Sequence, residues 1–406
     1  MKDTLRTSGR SAGRRRAADA VDRLTEALEA ARYSYCSGGT HNFYHYPARF
    51  SPDIARAAIE LFSGVDDIVL DPFMGGGTAI IEGLALGRRM VGIDLNALAH
   101  FVTAVRTTVL SPSDEEALIT WSHVVAERFG GKLAEQVDRE RVKNLPEAVE
   151  LFLSGALRLS DGLRFPRQRA FARCVLLRLG QWALDCRDFV SPRRRMLADR
   201  LPRLVGEMLA GLQGFVDECG AVGISKNVIS GRRVLLHRSA VGMEDAPGIM
   251  SLAGKPKLVM TSPPYPSVHV LYHRWQYRGR KETPAPYWIA RVPDGFYESY
   301  YTGGSRTPLG RERYFAMITN AFRSVRKVLD DNGLVVQLVG FSDTGSQLPR
   351  YLEAMDAAGF EEWTPGNVEL DRLQRRVPNR KWYAKLQANH EAAQELLLFH
   401  RPRRPR

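Results

Sequence analysis

The sequence predicts an α/β fold: a doubly wound, mostly parallel sheet with a helical block inserted into it. Three observations predict it. Short apolar runs end in an acid or a turn and feed helical patterns. A glycine cluster, DPFMGGGT at 71–78, joins the first such run to the first helix. From about residue 111 to 228 the strand rhythm stops and a Leu-, Ala- and Arg-rich helical periodicity replaces it.

Taken in order, residues 1–38 form a basic N-terminal arm and helix: RTSGRSAGRRR, then the helical AADAVDRLTEALEAARYSY. The arm suits nucleic acid phosphate and equally a solubilising tail. Residues 39–110 hold the strand DDIVLDPF, the glycine turn feeding GGGTAIIEGLALG, the strand RMVGIDLN and the helix ALAHFVTAVRTTVL. The block 111–228 reads as helices in PEAVELFLSGALRL, QRAFARCVLLRLGQWAL and RRRMLADRLPRLVGEMLAGLQGFV. Residues 229–406 resume the alternation with strands RRVLLHRS and KLVMTS, and a helix FAMITNAFRSVRKVLDDNG closed by glycine. Strand LVVQLVGFS and helix LPRYLEAMDAAGF follow, then two antiparallel candidates near WTPGNVEL and AQELLLFHR.

Composition narrows the class. The 406 residues are 44% hydrophobic and 25% charged, ordinary for a soluble chain with a sizeable core. A net charge of +13 points toward a polyanionic partner rather than toward any fold. Cys36, Cys174, Cys186 and Cys219 include no C-x-x-C pair and read as reduced thiols. No apolar run approaches the roughly 18 residues of a membrane span, and no signal-peptide pattern opens the chain. A cytoplasmic protein is the expectation.

Two stretches carry chemistry. Glycines at a strand-to-helix turn let a ligand approach the backbone, and the helix N-terminus adds free N–H donors. Asp94 ends the next strand, seventeen residues after Gly77, the usual place for a carboxylate that accepts both hydroxyls of a ribose. Turn and acid together indicate a nucleoside-bearing cofactor without saying which. The second stretch is LVMTSPPYP, 258–266, where an apolar strand stops in two prolines flanked by Ser262 and Tyr265. Proline lacks an N–H and fixes φ, so the turn is rigid and ends the ladder.

With 71-DPFMGGGT-78, 92-GIDLN-96 and 261-TSPPY-265 in view, the chain resembles the S-adenosylmethionine-dependent amino-methyltransferases of DNA. TSPPY is similar to that family's (S/T/N/D)-PP-(Y/F/W) catalytic signature. The segment 41-HNFYHYPARFSP-52 resembles the one lying over the methionine end of the cofactor, and RRVPNRKWYA followed by ELLLF resembles the closing β-hairpin. The resemblance spans roughly residues 40–110 and 230–400. It implies a seven-stranded Rossmann-like methyltransferase sheet and S-adenosylmethionine as cofactor. The cofactor would be held by Phe50, Pro52, Asp71, Phe73, Gly75, Gly77, Thr78 and Asp94. Ser239 stands where an acid that meets the cofactor adenine is usual, with Glu244 and Asp245 further on, a departure from the family pattern.

The resemblance also gives Ser262, Pro263, Pro264 and Tyr265 their roles. An exocyclic base amine is a poor nucleophile because its lone pair is delocalised into the ring. Ser262 Oγ and the Pro263 carbonyl would accept its N–H bonds and aim the lone pair at the methyl, while Tyr265 stacks on the base. Positioning and electrostatics carry such a rate, and a flipped base is implied. Ser262, where the family's adenine enzymes mostly carry Asp or Asn, favours cytosine N4 over adenine N6.

The insertion at 111–228 falls between the second and third strands, unlike the better-known arrangements. It reads either as the target reader, with Arg193, Arg194 and Arg195 toward phosphate, or as a stabilising subdomain or dimer face. The segment after the catalytic turn interleaves Arg274, Arg278, Arg280 and Lys281 with Tyr272, Trp275, Tyr277 and Trp288, suiting phosphate contact with base stacking, or a packed lid. His269 and His273 lack a third ligand and read as polar lid residues, so no metal is expected. The expected partners are DNA and a cognate restriction endonuclease or other defence partner. Two alternatives stand beside this reading. One is an RNA base methyltransferase of the guanine-N2 type, although such enzymes carry a substantial N-terminal RNA-binding domain and about 40 residues precede the core here. The other is a catalytically dead nucleic-acid-binding homologue, against which the intact glycines, Asp94 and SPPY turn count.

Overall fold

The structure is a computed structural model that describes residues 19–31, 38–45, 51–131, 141–185, 190–266, 275–278, 281–294, 307–365, 373–378 and 391–404. Phe50, Arg274, Arg280, Tyr272, His269, His273, Cys36 and Cys186 lie outside them, as does most of the basic arm.

The strands in chain order are β1 (Ile68–Asp71), β2 (Arg89–Asp94), β3 (Arg233–His237), β4 (Leu258–Thr261), β5 (Trp275–Tyr277), β6 (Lys281–Thr283), β7 (Leu334–Phe341), β8 (Phe360–Glu362), β9 (Gln374–Pro378) and β10 (Glu391–Pro402). The main sheet runs β3-β2-β1-β4-β7-β10-β8, with β9 paired to β10 off this path. Strands β1 to β4 and β7 run parallel to one another, and β10 is antiparallel to both β7 and β8. The predicted doubly wound, mostly parallel sheet of seven strands is therefore present, and the path reverses between β1 and β4.

The strand sequences dictate that both faces be covered. All four residues of β1, all four of β4 and all eight of β7 are buried. Successive side chains point to opposite faces of a strand. Accordingly Val69, Met90, Met260 and Val336 join one apolar cluster, while Leu70, Val91, Val259 and Val335 join another. Continuous Val/Ile/Leu runs of this kind belong to parallel sheets clad by helices on both sides.

The helices that matter for the site are α1 (Pro52–Phe62), α2 (Thr78–Ala85), α3 (Ala97–Arg106), α4 (Pro112–Gly130), α5 (Glu147–Asp161), α6 (Pro166–Leu184), α7 (Arg194–Ala221), α8 (Ala285–Ala290), α9 (Pro308–Val328) and α10 (Thr344–Ala357). Helices α4 to α7 fill the inserted block. Ser111 and Asp114 form a reciprocal capping box at the start of α4. The same Asp114 carboxylate, fully buried, accepts from Arg167 Nε at 2.6 Å and Gln168 Nε2 at 2.9 Å, fastening α4 to α6. Val125, Phe152, Leu176, Leu201 and Met208 of these helices belong to the same cluster as Val69 and Met260, so the insertion thickens one face of the core.

Two local expectations are corrected. The helix before β7 ends at Val328 with Leu329 as its cap, and Gly333 sits in the following turn instead of closing the helix. A strand stands beside WTPGNVEL, at Phe360–Glu362, and residues 366–370 of that stretch lie outside the described ones. Trp275 is not a surface stacking residue. It is 2% exposed, its indole Nε1 donates to the Tyr44 hydroxyl at 3.0 Å, and a Cβ on Gly180 would fall 2.5 Å from its Cη2. Tyr277 is buried as well, whereas Arg278 and Lys281 are exposed.

Trp275 thus ties the hairpin β5–β6 to α6 and to the segment 38–45. Trp275→Ala is expected to cost about 3–5 kcal/mol in folding stability, as truncation of a buried aromatic does. Lys281→Ala should stay within about 0.5 kcal/mol. Denaturant midpoints of the two variants check this, and equal midpoints contradict the buried role.

Candidate active site

The carboxyl ends of β3, β2, β1 and β4 stand side by side, and an expected site residue lies at the end of each strand or in the turn that follows. In open α/β sheets the crevice at this edge, where the strand order reverses, is where ligands bind.

At the end of β1, Asp71 is completely buried. Its Oδ1 accepts from Thr261 Oγ1 at 2.6 Å and from the Phe73 N–H at 3.1 Å. Its Oδ2 is buried with no hydrogen-bond partner. Burial pushes the Asp71 carboxyl up to about 7; the Thr261 hydroxyl and the Phe73 N–H oppose the rise, and the nearby Asp94 charge adds to it. Phe73 packs on Phe322 of α9 with ring centroids 6.3 Å apart.

The glycine turn needs its glycines for two reasons. Gly75 and Gly77 have φ of 47° and 78°, in the left-handed region. A Cβ on Gly77 would lie 2.5 Å from Thr103 Cγ2, whereas one on Gly75 would meet nothing closer than the Phe73 carbonyl oxygen at 4.0 Å. The turn is packed below and open above. Gly77 caps α2, whose first residue is the buried Thr78. Asp94, at the end of β2, accepts from the Gly75 N–H at 2.8 Å and the Asn96 N–H at 2.8 Å. Its carboxylate is therefore held against the glycine turn. Ser239 follows β3, half-buried, with its Oγ accepting from the Val241 N–H at 3.1 Å.

At the end of β4, Ser262 is half-buried and Pro263 buried. The Tyr314 hydroxyl donates to the Pro264 carbonyl at 2.8 Å, a pin from α9 that supplements the rigidity of the prolines. The Tyr265 ring lies against Gly340 of β7, where a Cβ would come within 2.5 Å of its Cε2. Its hydroxyl reaches Ser262 Oγ at 3.3 Å and Glu395 Oε1 at 2.5 Å.

Sequence reasoning passed over Arg106, at the end of α3. It is 1% exposed and donates to the carbonyls of Gly76, His41 and Tyr44, the His41 bond measuring 3.0 Å. It couples the glycine turn to the segment expected over the cofactor. Pro52, first residue of α1, lines a cavity of about 210 Å³ with His41 and Glu82. Nothing in the local pattern of α3 distinguishes Arg106 from a surface arginine; only the three carbonyls reveal it. Thr261 and Glu395 were also unmarked, although a polar residue inside an apolar strand is itself a signal. Among the described residues no His, Cys, Asp and Glu cluster suits a metal. Cys174 and Cys219 are free and buried, their thiols pushed up to about 12 by burial. No described helix is long and apolar enough to cross a membrane.

The Asp71 assignment has a pH signature. Its folded pKa stands above the usual carboxylate value of about 3.9. Between about pH 4 and 7 the folded chain therefore binds more protons than the unfolded chain, and stability falls as pH rises through that window. Asp71→Asn removes this slope, so the variant should gain on the wild type across the window by on the order of a few kcal/mol. The gap should then level off. Urea midpoints at four pH values check it, and a constant gap contradicts the buried carboxyl.

Residues 13–102, which hold the glycine turn and Asp94, match the family model described as DNA methylase, of the N6/N4 type. Three curated relatives match over short stretches. They are the Type II methyltransferases M.MvaI of Kocuria varians (40% identical over 77 residues, 18% of this chain and 17% of that one), M.BsoBI of Geobacillus stearothermophilus (31% over 77, 19% and 15%) and M.MjaII of Methanocaldococcus jannaschii (29% over 66, 16% and 12%). The chain thus spans under a fifth of the length of the curated relatives it matches. Among solved structures, TrmN from Thermus thermophilus aligns at a TM-score of 0.31 and 12% identity over 88% of this chain and 50% of that one. A putative rRNA-methylase from Clostridium thermocellum aligns at 0.32 and 10% over 86% and 95%. At these scores the fold rests on the strand order itself. The similarity to the DNA methylase model of the N6/N4 type thus falls on the stretch that builds the glycine turn and its acid, residues 13–102.

Proposed function

We propose that the protein transfers a methyl group from S-adenosylmethionine to an exocyclic amine of a DNA base, cytosine N4 ahead of adenine N6. The observation that carries this reading is the Thr261–Asp71 hydrogen bond, which fixes the Ser262 turn beside the glycine turn at the reversal point of the sheet. The Ser-Pro-Pro-Tyr turn lies outside the stretch matched to the family, so its role rests on this geometry and on its resemblance to the family signature.

The residues present fit the cofactor. Gly75 leaves open space above the turn, the first turn of α2 offers N–H groups, and Asp94 offers a carboxylate for ribose hydroxyls. Asp71, Phe73, Gly77 and Thr78 build the floor under it; Pro52 and Ser239 would bound its two ends. Bound there, S-adenosylmethionine supplies a methyl activated by a sulfonium. Ser262 Oγ and the Pro263 carbonyl would accept the N–H groups of the amine, pushing electron density onto nitrogen and aiming its lone pair. The amine nitrogen would thereby be presented to the sulfonium methyl, its new bond replacing the methyl–sulfur bond, and its surplus proton would leave to solvent. Pre-set acceptors cost no reorganisation at that moment. Ser262, in place of Asp or Asn, favours cytosine.

For DNA, a cavity of about 1150 Å³ opens between α5 and α8. Exposed Arg141, Lys143, Arg158 and Arg291 line it with Tyr287 and Trp288. The Tyr287 hydroxyl accepts from Asn96 Nδ2 at 3.1 Å, so this groove adjoins the Asp94 turn. Asn144 Nδ2 donates to the Glu282 carbonyl at 2.8 Å, joining the inserted block to the hairpin that exposes Arg278 and Lys281. Both candidate reading segments thus meet beside this groove, whose lining also carries Asp161 and Asp294, Asp161 being paired with Arg291 at 2.6 Å. The Type II designation of the relatives supports expecting a cognate endonuclease as partner.

Nucleoside mass spectrometry of DNA from cells expressing the protein tests the reading. N4-methylcytosine, or failing that N6-methyladenine, should appear with the wild type and fall about 100-fold with Ser262→Ala. Cofactor affinity by calorimetry should stay within about twofold in that variant and weaken in Asp94→Ala. A mark in RNA alone moves the substrate to RNA; equal marks from wild type and Ser262→Ala sink the assignment. Arg141→Ala with Lys143→Ala should weaken DNA binding for all sequences alike, and flatten the salt dependence by about 0.9 in slope per lost phosphate contact. An unchanged slope removes the groove from the DNA path.

A further inference from the structure

We infer that Glu395 is a positioning residue which, through Tyr265, fixes Ser262 Oγ as a hydrogen-bond acceptor toward the target amine. The inference rests on the methyl-transfer reading above and names what makes its acceptor one-way.

The number of protons available sets the direction of these bonds. A hydroxyl carries one proton and can donate once. The Tyr265 hydroxyl gives its proton to Glu395 Oε1 at 2.5 Å, a length typical of a hydroxyl on a carboxylate. At its contact with Ser262 the phenol oxygen can therefore only accept, so the proton on that bond is the serine's. Ser262 Oγ is left with lone pairs and no free proton. Without that chain a serine hydroxyl rotates and offers a proton or a lone pair indifferently. With it, Ser262 favours an N–H donor, as on cytosine N4 or adenine N6, and disfavours a ring carbonyl. The 3.3 Å separation makes this a weak bond in the substrate-free site, and catalytic hydrogen bonds tighten when substrate binds.

The surroundings are built for this chain of contacts. Glu395 lies on β10, 4% exposed, directly across from Gly340 of β7. Gly340 leaves room for the Tyr265 ring, which a side chain there would displace. The pin from Tyr314 to the Pro264 carbonyl holds the backbone just before Tyr265. A buried carboxylate retained beside a catalytic turn calls for a donor, and the Tyr265 phenol is one.

The test compares Tyr265→Phe, Glu395→Gln and the double variant. Each single change should lower kcat about 10- to 100-fold and leave cofactor affinity within about twofold. The double variant should be no slower than the slower single one, because both act through one bond. Independent, additive losses, or single variants as fast as wild type, overturn the inference. A readout apart from turnover guards against misfolding. With tyrosine labelled by ¹³C at Cζ, the Tyr265 signal is assigned by its loss in Tyr265→Phe, and it should shift in Glu395→Gln. An unmoved signal also overturns the inference. A wild type that transfers no methyl, yet shows the shift, refutes the proposed reaction and leaves the arrangement standing.

Discussion

Everything at the site depends on one buried contact, the hydroxyl of Thr261 on the carboxyl of Asp71. Strands β1 and β4 are neighbours on which the chain order reverses, and the loops after them diverge. Backbone pairing sets the strands side by side, but the register recorded between them covers only Val69 with Leu258 and Leu70 with Val259. The last residues of the two strands are joined by side chains instead. Because Asp71 is fully buried, exchanging this bond for water is unavailable, and opening it would leave an unpaired polar group in the core. The separation of glycine turn and serine turn is thereby made a property of the core. Arg106 extends the same device, three backbone carbonyls from two distant segments converging on one guanidinium.

The fold was legible in the sequence because its signals are local. Continuous apolar runs along β1, β2, β4 and β7, glycines where φ turns positive, and polar caps such as Ser111 act within a few residues. The position of Asp71, Asp94, Ser239 and Ser262 at or just after a strand's carboxyl end followed from that pattern. The misjudged helix end at Gly333 is a boundary error, where neighbouring residues suit either state.

The site was less legible where its contacts span the chain. Trp275 sits among arginines and tyrosines, a composition that suits base stacking. Its fate was decided by Gly180 and Tyr44, which no local pattern connects to it. Arg106 looks like one more cation closing a helix, a place where cations are favoured on dipole grounds alone. Glu395 begins an apolar run and resembles an edge residue until β7 and the Tyr265 turn cover it. In each case the residue type was compatible with the surface, and tertiary packing made it buried.

The identity of residue 265 joins these threads. The signature that TSPPY resembles admits Phe or Trp at the same place, so a ring is what stacking demands and a hydroxyl is additional. Here the hydroxyl meets Ser262 and Glu395, and the ring reaches them because position 340 is glycine. Replacing the tyrosine by phenylalanine would keep the ring yet deprive a buried carboxylate of a donor. Replacing Glu395 by an apolar residue would free the phenol proton to turn toward Ser262. Residues 265, 340 and 395 therefore constrain one another, and the tyrosine of the turn is coupled to the last strand of the sheet. The catalytic turn is in this sense incomplete without β10, which reaches it from the far end of the chain.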